Sequence, residues 1–282
     1  MSDKPRVSIR EAVPFGEGGG QPLLCDIFTP PDAPQRAPAV LLVHGGAWRQ
    51  GDRTQLRAFG IALAKEGFVC VSSGYRLVPG AAWPAQMHDV NAALRFMRAQ
   101  ADSLGIDPER IASLGASAGA HLVLLSAGTV GQAAFEGEGG HAGVSTKVAA
   151  IVAIFAPTVL SPRGERLSGA VPGSTLLETS DDQETARLAS PLTHVTPSFP
   201  PTLLLHGTAD RVVPPSASMR MYEALVAAKV PVELYLAAEQ PHGYTLQPDF
   251  HRLAVAQTVL FLRRYLGLRP KVAMPEWAQN MV

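Results

Sequence analysis

The most chemically suggestive residues lie in Gly115-Ala116-Ser117-Ala118-Gly119, a G-x-S-x-G pentapeptide. A serine hydroxyl is a weak nucleophile until a neighbouring base takes its proton, so the pentapeptide has meaning only in context. An apolar run, Arg110–Leu114, precedes it, and a helix-forming run opens at Ala118. A sharp turn from strand to helix would hold Ser117 in a strained conformation and lift its hydroxyl clear of a sheet. All five positions flanking the serine between Gly115 and Ala120 are Gly or Ala, as a turn with close backbone approach requires.

Acyl transfer at such a serine needs donors for the negative charge that builds on the carbonyl oxygen. His44-Gly45-Gly46-Ala47-Trp48 follows another apolar run, Ala39–Val43, and Gly permits the backbone to approach a substrate. Gly46 and Ala47 are the expected donors from this loop, and Ala118 the donor from the helix start.

The base must lie after the nucleophile, with an acid between them. Of eight histidines, His242 and His251 follow the last strand-like run. His251 falls in an amphipathic helix, where a surface or packing role is expected. His242, in Gln240-Pro241-His242-Gly243-Tyr244, sits in a loop that can swing an imidazole over Ser117. Asp210 follows the apolar run Thr202–Leu205 and is the expected acid, orienting the imidazole and stabilising its cation. Glu239 is the alternative, but it is so near His242 in sequence that it reaches the far ring nitrogen poorly. His44 and His206, each ending a strand before Gly, are expected to bond nearby backbone. Trp48 and Tyr244, next to the two loops, are expected to line a substrate pocket.

These residues need a scaffold that brings four loops to one edge. The chain alternates strand and helix. Eight strands are predicted at Arg6–Arg10, Leu23–Thr29, Ala39–Val43, Phe68–Ser72, Arg110–Leu114, Val148–Phe155, Thr202–Leu205 and Val232–Leu236. Helices are predicted at Gln55–Glu66, Ala85–Ala101, Ala118–Ala127, Ser216–Ala228 and Phe250–Tyr265. Such alternation implies an α/β fold with a mostly parallel, doubly wound sheet. The first two strands, joined by the Gly-rich turn Gly16–Gly20, should pair antiparallel at one edge. Arg76 and Asp89 are expected to form a structural, bidentate ion pair between a strand end and a helix. Gly131–Thr146 reads as a surface loop. Pro157–Pro200 is a long connection, read as a small lid inserted in a single domain spanning residues 1–282.

With these motifs in hand, the chain resembles the α/β-hydrolase superfamily over nearly its whole length. It is most similar to the branch holding hormone-sensitive-lipase-type esterases, bacterial feruloyl and acetyl xylan esterases, and kynurenine formamidases. The residues carrying the likeness are His44-Gly45-Gly46-Ala47-Trp48, Gly74-Tyr75-Arg76-Leu77, the Ser117 pentapeptide with His121, His206-Gly207-Thr208-Ala209-Asp210, and Pro241-His242-Gly243. The resemblance implies a cofactor-free serine carboxylesterase with Ser117, Asp210 and His242 as its triad, acting on short-chain or aromatic acyl esters. An aryl formamidase is the alternative. The lipase branch usually has Gly where this chain has Ala47, and an acidic residue where it has Ala116, which moves the match toward the xylan-esterase-like and formamidase-like group.

Composition narrows the rest. Twenty-four basic residues balance twenty-four acidic ones, with no basic stripe, so nucleic acid is not an expected partner. No apolar run approaches the roughly 20 residues of a membrane span, and the first residues have no apolar leader core, so a cytoplasmic protein is expected. Cys25 and Cys70 read as buried free thiols. No metal-ligand spacing appears, and no metal or cofactor is expected. The expected partner is a small-molecule ester. Self-association into a homo-oligomer is left open, as is the role of the tail after Leu268.

Overall fold

The computed structural model describes residues 6–32, 34–162, 171–172, 176–177 and 182–268. The elements follow in order. They are β1 (Ser8–Gly18), β2 (Gln21–Thr29), β3 (Ala37–Val43), α1 (Arg57–Lys65), β4 (Val69–Ser73), α2 (Ala85–Ala99), α3 (Ala101–Leu104), β5 (Ile106–Ala116), α4 (Ala118–Gly128), α5 (Ala133–Glu136) and β6 (Ala150–Ile154). Then come β7 (Leu160–Ser161), β8 (Val171–Pro172), α6 (Gln183–Leu188), β9 (Thr202–Gly207), α7 (Ser216–Ala227), β10 (Val232–Ala237) and α8 (Pro248–Tyr265). Eight strands form one sheet in the order β1-β2-β4-β3-β5-β6-β9-β10. From β4 to β10 every neighbouring pair is parallel, while β2 runs antiparallel to both β1 and β4. This is the predicted doubly wound sheet with its antiparallel edge. The β1–β2 turn is made by Gly19 and Gly20, at φ +60° and +74°, the double left-handed conformation that a two-residue hairpin turn favours.

The central strands are apolar on both faces because helices cover both. On β3, Ala39, Leu41 and Val43 join one core with residues of α2, α4 and α7, while Val40 and Leu42 join another with residues of α1 and α8. Alternation along the strand thus splits one sequence run between two cores.

One expectation is revised. The segment Gly131–Thr146 is not simply a surface loop. It contains α5 and is pinned to α2 by polar side chains. Asn91 Nδ2 donates to Phe135 O at 2.7 Å, Arg95 Nε to Gly140 O at 2.8 Å, and Arg95 Nη1 to Glu136 O at 2.6 Å. The second face of α2 is polar yet buried, because these side chains satisfy carbonyls of that segment. Within Pro157–Pro200, the described residues pack beside α4 and α7. Leu192 N donates to Thr158 O, Thr158 Oγ1 to Ala217 O, and Leu160 N to Ser190 Oγ. The rest of that segment, and the tail from Arg269, lie outside the described residues.

Arg76 and Asp89 form the expected pair. The carboxylate is fully buried and accepts Arg76 Nη2 at 2.7 Å, Nε at 2.8 and 3.0 Å, and the Arg76 backbone N–H at 2.8 Å. Cys25 and Cys70 are buried free thiols, and burial pushes the Cys25 thiol up to about 12.

Candidate active site

Strand β5 runs through the centre of the sheet and turns into α4 at Ser117, whose backbone lies at φ 54°, ψ −119°. A non-glycine residue there costs roughly 1–3 kcal/mol and persists only when its surroundings hold it. Here the Ser117 N–H donates to Ile154 O at 2.8 Å, tying the turn to β6, and Ser117 O accepts the first full helical bond, from His121 N. Space explains the flanking glycines. A Cβ on Gly115 would lie 2.3 Å from Gly119 O, and one on Gly119 would lie 2.1 Å from Val43 O. No real side chain fits at either distance.

Next to β5, β3 ends at Val43 and the chain coils from His44 through Gly46 (φ +109°), Ala47 (φ 52°) and Trp48 (φ 59°). The coil is closed by Arg49 N and Gln50 N, both donating to Gly46 O at 3.0 Å, and a Cβ on Gly46 would strike Gln50 O at 2.0 Å. His44 braces it from beneath. Its ring stacks on Tyr75 at 4.2 Å, its Nδ1 donates to Gly45 O at 2.7 Å, and Tyr75 Oη donates to His44 O at 3.2 Å. Burial lowers the affinity of His44 for a proton, which suits a structural brace. Among the described residues no hydrogen bond engages the amides of Gly46, Ala47 or Ala118. The last is the first N–H of α4, at the positive end of the helix dipole.

The loops after β9 and β10 bring the remaining groups. His242 Nε2 lies 3.0 Å from Ser117 Oγ, and His242 Nδ1 lies 2.7 Å from Asp210 Oδ2. A carboxylate accepts, so Nδ1 carries the proton and Nε2 presents its lone pair to the serine hydroxyl. Burial alone would push the Asp210 carboxyl up. Hydrogen bonding from His206 and His242, and from the Val213 N–H, outweighs it and holds the group well below the usual carboxylate range. Oδ1 accepts Val212 N at 2.8 Å and Val213 N at 2.9 Å. His206, buried at the end of β9, is 3.3 Å from Asp210 Oδ2 and donates from Nε2 to Val213 O at 3.0 Å, while its Nδ1 meets Ser218 Oγ at 2.7 Å. It bonds backbone as expected, and it also steadies the carboxylate. Glu239 is exposed and its N–H is taken up by Thr208 Oγ1.

Around Ser117 and His242 lies a cavity of about 530 Å³, bordered by Gly46, Ala47, Gln55, Phe59, Phe155 and Leu246 among others. Neither Trp48 nor Tyr244 lines it, contrary to expectation. Trp48 is only 2% exposed and packs edge-on against buried His121 at 5.2 Å. The left-handed turn at Ala47 and Trp48 sends its indole behind the loop into the core. Tyr244 is buried between Phe155 and Phe250. It begins a short 3-10 turn, Tyr244–Leu246, in which Thr245 and Leu246 face the cavity instead. The aromatic wall is Phe155, at φ 42°, whose ring lies 4.5 Å from the His242 ring. Sequence reasoning passed over it, although its place at the end of β6 beside the nucleophile strand was the available signal. His251 also reaches the cavity, edge-on to Phe59 at 4.5 Å.

A hydroxyl paired with an imidazole, an imidazole oriented by a buried carboxylate, and unpaired amides beside the hydroxyl can together transfer an acyl group. Residues 25–225 match the BD-FAE family. The chain belongs to the BD-FAE family. It has relatives among bacterial esterases. It is 33% identical to Esterase LipC and 32% identical to Esterase LipQ of Mycobacterium tuberculosis, over 84% and 88% of its own length. It spans 60% of the length of each. Among solved structures it superposes on the propionate-bound thermophilic esterase Est2 of Thermogutta terrifontis with a TM-score of 0.80 at 25% identity, covering 96% of this chain and 98% of that one. The BD-FAE chain thus has the α/β-hydrolase fold. No helix among its described residues is long and apolar enough to cross a membrane.

Proposed function

We propose that the chain is a serine carboxylesterase that hydrolyses short-chain or aromatic acyl esters through an acyl-enzyme intermediate. The observation that carries this is the unbroken chain from Ser117 Oγ to His242 to Asp210, opening on a cavity beside three unpaired amides. Ser117 Oγ attacks the ester carbonyl as His242 Nε2 takes its proton. The carbonyl electrons move onto oxygen, which the Gly46, Ala47 and Ala118 amides receive. One such donor is worth about 3 kcal/mol in the transition state. Collapse of the tetrahedral species breaks the bond to the alcohol oxygen, which leaves with the proton from His242. Water then repeats the sequence on the acyl-enzyme, releasing the acid and free Ser117. Asp210 keeps His242 in the required tautomer and balances the imidazolium.

Supporting this reading, LipC, LipQ and Est2 are all named esterases, and the formamidase alternative draws no support from them. For acyl size, the cavity measures about 530 Å³ and is bordered by exposed Leu246 and Val212. Described residues of Pro157–Pro200 contribute none of its lining. Est2 holds propionate, a three-carbon acid. Each methylene that a tunnel buried would add about 0.8 kcal/mol, so a site built for long chains would show kcat/KM rising with acyl length. The test is kcat/KM on p-nitrophenyl esters from acetate to palmitate, with labelling by an organophosphate. Preference for acetyl to butyryl esters and labelling of Ser117 are expected. An optimum at decanoate or longer would overturn the acyl assignment, and a label on another serine would overturn the mechanism.

A further inference from the structure

Gln55 lies two residues before α1, exposed, with its side chain on the cavity around Ser117. Its amide has a donor end and an acceptor end, and the structure fixes which faces where. The Gly45 N–H can only donate, and it donates to Gln55 Oε1 at 2.7 Å. The carbonyl end is therefore turned to the loop that carries Gly46 and Ala47, and the NH2 end is turned away from it. The site is close to the nucleophile. A Cβ on Gly45 would lie 3.2 Å from Ser117 Cβ and 3.6 Å from Gln55 Oε1. No hydrogen bond among the described residues engages Gln55 Nε2, so its N–H groups are available to a molecule in the cavity that Gln55 lines.

The cavity has two sides. A leaving alcohol must take its proton from His242, and exposed Val212 and Leu246 also border the cavity. The acyl carbonyl must reach the Gly46 and Ala47 amides, and Gln55, Leu56 and Phe59 border the same cavity as those amides. On that mostly apolar wall, Gln55 is an amide already held in one orientation. Little conformational freedom is left to lose on binding.

We propose that Gln55 is a substrate-binding residue that selects acyl groups carrying a hydrogen-bond acceptor shortly beyond the carbonyl, such as alkoxyacyl or hydroxyacyl esters, over their hydrocarbon isosteres. This rests on the esterase reading and gives that site a substrate class that acyl length alone does not. Its Oε1 simultaneously positions the Gly45–Ala47 backbone, so the two roles must be separated in the test. p-Nitrophenyl methoxyacetate and p-nitrophenyl butyrate differ by one oxygen in place of one methylene. The ratio of their kcat/KM values, compared between wild type and variant, cancels intrinsic reactivity and any general loss from a displaced loop. Gln55→Leu removes both ends. It lowers both rates and lowers the ratio a further three- to tenfold, about the worth of one neutral hydrogen bond. Gln55→Glu keeps an acceptor for Gly45 and puts an oxygen where the donor stood, so the ratio falls at least as far. Measurable butyrate turnover with an unchanged melting temperature certifies that each variant is folded. Equal losses on both esters in both variants would overturn the proposal and leave Gln55 a loop anchor. Wild-type protein that hydrolyses neither ester, with Ser117 unlabelled by organophosphate, would instead overturn the esterase reading on which it rests.

Discussion

Asp89 and Asp210 are two carboxylates with the same charge, the same complete side-chain burial and the same 2.7 Å contact to a nitrogen donor. One locks a helix to a strand end and the other orients a base. Asp89 spends its lone pairs on a single residue, the guanidinium and backbone N–H of Arg76, which is permanently charged and has no lone pair to offer. Asp210 divides its lone pairs among two backbone amides, His206 and His242. Its imidazole partner has a second nitrogen, 3.0 Å from Ser117 Oγ and beside an open cavity. Burial and charge therefore do not mark the reactive centre. A partner with a second working face does.

The contrast is broken or sharpened by substitution. The largest effect is expected for Ser117→Ala, which removes the far end of the Asp210 relay. Turnover should fall on the order of a millionfold, as for removal of the nucleophile in other serine hydrolases, with the melting temperature unchanged. Near-normal hydrolysis by the purified variant would end the argument. Asp210→Asn should cost about 10⁴ in kcat, because an amide no longer enforces the tautomer. Asp89→Asn should do the reverse. It leaves a half-buried guanidinium short of its charge partner and should cost about 3 kcal/mol of stability, with kcat within about threefold of wild type. Thermal melts and kinetics on the same two preparations decide it. If Asp89→Asn lost kcat and kept its melting temperature, the two aspartates would not differ as described.

Much of this was legible in the sequence. Eight strands in one sheet, the antiparallel edge, the Ser117 turn and the Arg76–Asp89 pair follow from periodicity, small residues around a turn, and motif order. Two aromatics next to the motifs were misread, because proximity in sequence says nothing of which way a left-handed residue turns a side chain. Trp48 went into the core with His121 for that reason. Phe155 and Gln55 were missed since a cavity wall is assembled from several strand ends and no local pattern announces it. The polar face of α2 was hidden by its partners, the bare carbonyls of a Gly-rich segment with no hydrophobic pattern of its own.

A smaller effect concerns pH and uses His121 as a buried imidazole without a carboxylate. Burial lowers its pKa from 6.5 to about 4, against a single backbone hydrogen bond to Ala189 O. The folded protein thus binds fewer protons than the unfolded chain between those values. Stability should fall as pH drops from 6.5 toward 4, by on the order of 3 kcal/mol. His121→Gln should flatten that part of the profile. Asp210 acts at lower pH. Its depressed carboxyl stabilises the fold above the unfolded carboxylate range and loses that contribution as acid protonates it. An unchanged profile in His121→Gln would place the acid sensitivity elsewhere. The smallest effect is expected at the cavity lip, where Leu246→Ala should change kcat/KM for acetyl esters by less than about threefold, the side chain being 79% exposed.

Three glycines join the nucleophile turn to the loop after β3. Gly119 leaves no room beside Val43 O and His44 O, Gly115 none beside Gly119 O, and Gly45 little beside Ala116 O and Ser117 Cβ. Each is held to its size by backbone, which cannot be traded away for a smaller neighbour. Stepwise mutation therefore has no permitted path through Gly115 or Gly119, because a first enlargement at either collides with backbone before a second can compensate. The lip residues Val212 and Leu246, open to solvent, carry no such restriction. Descendants of this chain can explore new esters by drift at the rim, while the reactive frame passes down unaltered or not at all.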